Sequence, residues 1–419
     1  MKLNLNLFKN NKKILSNYLN LTFIQLLNSF FYLLIYPFVI QSVGLDNYGA
    51  YVFYNSIALY FYVLVNYGFD IHGAKIVASN SSNLRFCGNL FVDIFLSKIL
   101  LFIFSSFVFL CLIFIFDIPE DSRYLFFYCF LNVVSCVFMT SWYFHGIQKL
   151  YVVTSIQLLF KLVSLPLIYF SLNGSSLGVS AYALIISLSN IAASILVFIV
   201  TFFYIKEINW DADLRKSLSL LKSVQPYFFS TACIAVKQRS IELIIGGSMG
   251  MRDLALYDLA YKIFSIPTLL VSNINSALFP KFIRDNNEEN IKKVIVIEIL
   301  IGAFIVISIS IFGRYFIEEI FGENMLPAYS MSILLSINIF AYLVVGAYMY
   351  FVFIPFGEYN FILKNQIISV LSFYLFCLLF YFSIWNMYSI LFALIISGFI
   401  EIAYCKYFIF ASRRVNGKI

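Results

Sequence analysis

The chain has 419 residues, of which 62% are hydrophobic, 20% aromatic and only 12% charged, with a net charge of +7. A water-soluble domain carries about 25% charged residues, so lipid must cover the surface that this chain cannot cover with charge. That composition excludes an ordinary soluble fold and predicts an all-α, polytopic membrane protein; the cation excess is read as topology and not as affinity for nucleic acid.

In chain order, the basic segment "MKLNLNLFKNNKK" leads straight into apolar sequence without a small-residue cleavage site, which predicts a retained first helix. A span needs about 20 apolar residues to cross the hydrocarbon. Twelve stretches qualify: 15–38, 47–68, 88–116, 124–144, 151–171, 178–205, 219–246, 254–279, 292–313, 326–354, 361–383 and 387–410. The connecting loops are short. The most charged of them, "KEINWDADLRKS" at 206–217, is expected to link an N-terminal lobe of six helices (1–205) to a C-terminal lobe of six (218–419).

With the N-terminus cytoplasmic, twenty of the 28 Lys and Arg residues fall in cytoplasmic loops and tails, and only Arg123, Arg252 and Arg314 fall on the other side. This bias predicts an even helix number with both termini cytoplasmic. A weak internal repeat agrees with two lobes. Aligning "GLDNYGAYVFYNSI" (44–57) with "GMRDLALYDLAYKI" (250–263) pairs Gly44 with Gly250, Tyr51 with Tyr257 and Ile57 with Ile263. Both stretches join an odd span to an even one, so the repeat is parallel, as in two-lobed transporters.

The remaining five cations, Lys98, Lys161, Lys237, Arg239 and Lys262, lie inside predicted spans, as do the acids Asp93, Glu242 and Asp258; Glu298 and Glu401 lie nearer span ends. A charge at the bilayer centre costs about 2.5–3.5 kcal/mol on insertion scales, so each of these needs a partner or water. Lys237 shares a polar stripe with Ser230, which suits a cavity cation drawing in an anionic cargo; a packing lysine paired with a neighbouring acid is the alternative. Arg239 with Glu242, at i and i+3, and Asp258 with Lys262, at i and i+4, can each form a structural pair or meet cargo. Lys98, Lys161 and Asp93 have no acid or base at helical spacing, which favours a cavity for the two lysines over snorkelling. Polar residues at Gln25, Asn28 and Tyr32 are expected to line a helix interface or the cavity, and Tyr51 and Tyr54 offer flat faces to sugar rings or simply pack.

No catalytic constellation is visible. His72 and His145 are the only histidines, "GGSMG" (246–250) resembles a phosphate loop only superficially, and the seven cysteines lack metal spacing. Neither a metal nor another cofactor is expected, and the chain reads as a transporter and not as an enzyme.

Several segments resemble the O-antigen flippases (Wzx type) of the polysaccharide-transport branch of the multidrug/oligosaccharidyl-lipid/polysaccharide (MOP) exporter superfamily. They are "VGLDNYGAY" (43–51), "VNYGFDIHGAKIVAS" (65–79), "WYFHGIQKL" (142–150), "KQRSIELIIGGSMGMRDLALYDLAYKI" (237–263) and "SALFPKF" (276–282). Within "WYFHGIQKL", His145 stands where glutamine is common and Gln148 where an acid is common. The resemblance implies two six-helix lobes opening alternately around a cationic central cavity in the bacterial inner membrane. It implies a cargo of undecaprenyl-pyrophosphate-linked sugar repeat units, with membrane lipids and other polysaccharide-assembly proteins as partners. Under that expectation the pyrophosphate accounts for cations in the spans. A drug antiporter of the same superfamily should favour acids in its cavity, whereas cations outnumber acids here. A membrane-embedded polymerase or glycosyltransferase should carry a long loop or soluble domain, and none is present.

Overall fold

A computed structural model describes residues 12–80, 83–116, 118–174, 178–205, 207–208, 214–285, 288–354 and 359–416. Half of the expected inter-lobe loop, residues 206 and 209–213, therefore lies outside the described residues. The described chain is helical, and every predicted span is mostly helical, though the fourth (124–144) and the tenth (326–354) are each divided among more than one helical segment.

In the first part of the chain the helices are α1 (Lys12–Val43), α2 (Leu45–Asn66), α3 (Phe69–Asn80), α4 (Leu84–Ile115), α5 (Glu120–Phe138), α6 (Ser141–Gly146), α7 (Leu150–Gly174), α8 (Gly178–Ile205) and α9 (Leu214–Ser248). The second part continues with α10 (Met251–Asp285), α11 (Glu288–Phe321), a 3-10 turn (Glu323–Met325), α12 (Pro327–Ile337), α13 (Ile339–Tyr348), a π turn (Met349–Phe353), α14 (Tyr359–Tyr381) and α15 (Met387–Asn416). The chain divides into two compact units, Met1–Gly246 and Gly247–Ile419. This division keeps α9 with the first unit, whereas the sequence reading begins its second lobe at 218.

Among the described residues, ten helical stretches are long and apolar enough to cross a membrane. The two predicted spans that miss this mark do so for different reasons. The fourth was expected to run to 144, but α5 ends at Phe138, where Met139 turns extended at φ −70° and ψ 117°. Its apolar part, Ser122–Phe138, is correspondingly short. The seventh, α9, is long enough but carries Lys222, Lys237, Arg239 and Glu242 along its length.

Elsewhere the outward faces are apolar: Phe114 is 86% exposed, Phe382 79% and Leu34 77%. No water-facing surface would tolerate so many large apolar side chains together, so these faces meet lipid and the protein is a multi-pass membrane protein. Aromatic rings fill the interior of the first unit. Phe109 stacks on Phe130 at 3.9 Å and meets Phe126 edge-on at 4.8 Å, tying α4 to α5. In the second unit Phe353, Phe361 and Phe408 pack with Cys405. Of the seven free cysteines, five are buried in such packing, and Cys111 and Cys233 are half-buried.

The aligned glycines of the internal repeat behave alike. Gly44 at φ 82° precedes α2 and Gly250 at φ 107° precedes α10, a region that disfavours side chains. Each also accepts the first helical hydrogen bond through its carbonyl, from Tyr48 and Leu254 respectively. The conformational match carries more weight than three identities, because it repeats a backbone role at one offset.

Candidate functional site

Two of the sequence motifs meet in the first unit. Helix α2 stops at Asn66; Tyr67 and Gly68 both take positive φ, 48° and 80°, and α3 restarts at Phe69. Asp70, in the first turn of α3, accepts from Asn66 Nδ2 at 2.7 Å and from Ser141 Oγ at 2.6 Å, so it fastens the break to α6. Across the same contact, a Cβ at Gly73 would lie 3.0 Å from the Trp142 ring, and one at Gly146 would lie 2.6 Å from Val77 Cβ. Thus "VNYGFDIHGAKIVAS" and "WYFHGIQKL" interlock by glycine against side chain, and Trp142, Phe144 and Val77 are buried there.

The same break reaches α9. Tyr67 stacks on Phe228 at 4.4 Å with rings 10° apart, and His72 meets Tyr227 at 5.2 Å. Gly68 is needed twice, for its positive φ and because a Cβ there would sit 2.9 Å from the backbone nitrogen of Phe228. Gly68→Ala is therefore expected to destabilise the protein by about 1–3 kcal/mol, from the left-handed backbone and the forced retreat of α9. The check is a lowered melting midpoint for the purified variant. A midpoint equal to wild type would mean that α9 is not held at this point.

Further along, α9 presents its charges to α2. Arg239 donates to both carboxylate oxygens of Glu242, at 2.7 and 2.9 Å. Ser56 of α2 donates its hydroxyl to Glu242 as well. Tyr60 shares a hydrogen bond with Ser240 at 3.0 Å. Glu242 is buried, while Arg239 keeps 24% of its side chain exposed. Lys237, two residues before Arg239, is half-buried and also engaged. Ser56 and Tyr60 were not anticipated, although their i, i+4 spacing places both on one face of α2.

A second polar seam joins α1 to α7. Asn28 Nδ2 donates to the Ile24 carbonyl at 3.1 Å and to the Thr154 carbonyl at 3.3 Å. One turn up α1, the Phe31 ring lies 5.9 Å from Lys161 Nζ. Gln25 heads this stripe and is itself engaged; the side chain of Tyr32 lies outside the described residues. Lys161 and Asn28 are thus brought to one helix interface.

Other expected site residues go elsewhere. Lys98 does not line a cavity: it is 1% exposed. Its ammonium donates to the carbonyls of Cys136 at 3.0 Å and Met139 at 2.9 Å. These are the orphan acceptors left where α5 ends, so the lysine caps that helix. Tyr51 meets Tyr182 edge-on at 4.9 Å and Tyr54 meets Phe126 at 5.3 Å, which places both rings in the aromatic packing. Asp93 is half-buried on α4 and engaged. Lys262 and Asp258 form an ion pair on α10, in the second unit. The candidate charges therefore occupy separate places, with Arg239 and Glu242 facing α2, Lys237 close by on the same helix, and Lys161 on the α1–α7 seam.

An all-helical membrane protein with paired charges along its inner seams is the class defined so far. Its fold is that of solved transporters of the MOP superfamily. An inward-facing multidrug resistance MATE family transporter of that superfamily matches with a TM-score of 0.71 at 13% identity, over 93% of this chain and 96% of its own. An outward-facing one matches with a TM-score of 0.63 at 15% identity, over 96% of both chains. The family model described as "Polysaccharide biosynthesis protein" matches residues 14–285, and the chain belongs to that family. A protein of Escherichia coli (strain K12), named "Putative O-antigen transporter", is 24% identical over 321 residues, which span 71% of this chain and 76% of that protein.

Proposed function

We propose that this protein moves undecaprenyl-pyrophosphate-linked repeat units of O-antigen, or of a related surface polysaccharide, from the inner to the outer leaflet of the bacterial inner membrane. The family membership and the transporter name of the E. coli relative support transport of polysaccharide precursors. Two six-helix lobes working by alternating access, with both termini cytoplasmic, complete the reading; neighbours of the same fold in inward- and outward-facing conformations support the alternation. The protein does no covalent chemistry on its cargo.

The observation that carries the reading is α9. It is a helix in a membrane protein with Lys237 and Arg239 two residues apart, too charged to count among the apolar spans. Such charges persist where water or an anionic cargo meets them, and a lipid pyrophosphate supplies that anion. In this reading Lys237, Arg239 and Lys161 attract the head group, Lys262 serves the second lobe, and polar side chains such as Gln25 and Asn28 line the route.

Lys237→Ala is expected to lower glycan export ten- to a hundredfold, the equivalent of about 1.5–3 kcal/mol for a hydrogen bond to a charged group. The variant should still insert and accumulate. Lys237→Arg should keep part of the activity, because it retains charge with a different geometry. Lipid-linked repeat units should then build up in the inner leaflet of cells carrying Lys237→Ala. Normal export at unchanged protein level would reduce Lys237 to a packing residue.

A further inference from the structure

Helix α11 is lipid-facing over much of its surface: Val296, Ile297, Ile299 and Leu300 are all exposed. Between them Glu298 points inward and is 2% exposed. It lies about 10 Å along the axis from Ile291, where the apolar stretch begins, at 1.5 Å per residue. One turn on, Gly302 lets Phe340 and Leu343 of α13 approach to 3.2 and 3.4 Å of where a Cβ would be, which closes the helices over the carboxyl.

The neighbours of this carboxyl are unusual for the chain. Asn275 of α10, itself 3% exposed, is the polar side chain beside it. Neither carboxyl oxygen meets hydrogen-bond geometry with a described partner. Four ionisable groups described on the packed helices have partners of their own. On α10, Asp258 and Lys262 hold each other. On α12, Tyr329 donates to the Ser310 carbonyl at 2.6 Å. On α13, Tyr342 pairs with Ser272. By contrast, Glu242 has Arg239 and Ser56, and Glu401 accepts from Ser369. An ionised carboxylate buried without a cation costs several kcal/mol, and such a group stays neutral instead.

We propose that Glu298 is a proton-binding site of the second unit, neutral while α10, α11 and α13 are packed as here and able to release its proton once water reaches it. The step is plain acid dissociation, from the carboxyl oxygen to a water molecule and back, with no change of redox state. Among the described side chains one carboxylate and one amide meet here, too few oxygens to complete a metal cation's shell, and the ligand proposed is the proton. The inference goes beyond the transport reading and does not depend on the identity of the cargo.

A carboxyl that is neutral in the fold but free to ionise on unfolding binds a proton on folding. Its contribution to stability is full in acid and falls as pH rises. Glutamine mimics the neutral form and does not titrate. Melting midpoints of the purified full chain and of Glu298→Gln, taken across a pH series, should therefore separate by several degrees as pH rises, with the variant the more stable at alkaline pH. A difference that is the same at every pH overturns the proposal. Should Glu298→Gln fail to accumulate, the wild-type protein is treated with dicyclohexylcarbodiimide, an apolar reagent for protonated carboxyls, and mapped by mass spectrometry. An adduct on Glu298 at neutral pH that declines at alkaline pH supports the site, and no adduct there overturns it. Neither readout involves export, so failure of the transport reading would leave this result unaffected.

Discussion

Lys98→Met is expected to lose most of its folded protein, with a sharply lowered melting midpoint in whatever remains. The substitution keeps the length of the side chain and removes its three donors. Two carbonyls, at Cys136 and Met139, then lie buried without the ammonium that both accept from now. Leaving a buried acceptor unsatisfied costs about 1–3 kcal/mol, and two are left together. Methionine escapes the desolvation that the ammonium suffers, which offsets part of that loss but restores no hydrogen bond. Lys98→Arg should rescue poorly, since a planar fork does not fit a fully buried pocket shaped for a compact ammonium. If Lys98 served the cargo instead, Lys98→Met would accumulate and melt like wild type while failing to export.

Arg239→Ala should destabilise the protein by about 3 kcal/mol, the low end for breaking a buried pair because Arg239 is partly exposed. Glu242 would be left buried with the Ser56 hydroxyl but without its charge partner. Adding Glu242→Ala removes the stranded carboxylate, so the double variant should regain melting midpoint relative to Arg239→Ala. Export then separates the two roles. Recovery of export along with stability marks the pair as structural; stability restored without export marks Arg239 as a cargo contact.

The membrane-crossing helices were largely legible in the sequence because apolar length is set residue by residue. The left-handed turns at Gly44 and Gly250 surfaced as an alignment of two hinges. Three features were not legible. The end of α5 at Phe138 was hidden, because Trp142, Tyr143 and Phe144 continue the apolar run while packing as a separate short helix. The partners of Lys98 were hidden for a deeper reason: they are main-chain carbonyls, which leave no trace in side-chain spacing. Glu242 was matched correctly to Arg239 from their i, i+3 spacing, but Ser56 lies 186 residues away and only the fold reveals it. The distribution of the candidate site followed the same division. Pairs within one helix could be read, and placement across helices could not.

Pro226 lies within α9, immediately before Tyr227 and Phe228, which hold the helix against His72, Tyr67 and Gly68. Proline removes one rung of the helical ladder and pushes aside the carbonyl four residues back, that of Lys222. A softened joint thus coincides with an anchored one, as in a lever clamped at its fulcrum. Lys237 is about 16 Å up the axis, on the arm that Ser56 and Tyr60 tie to α2, so a swing of about 10° at the joint would carry its Cα through about 3 Å and would have to break those ties.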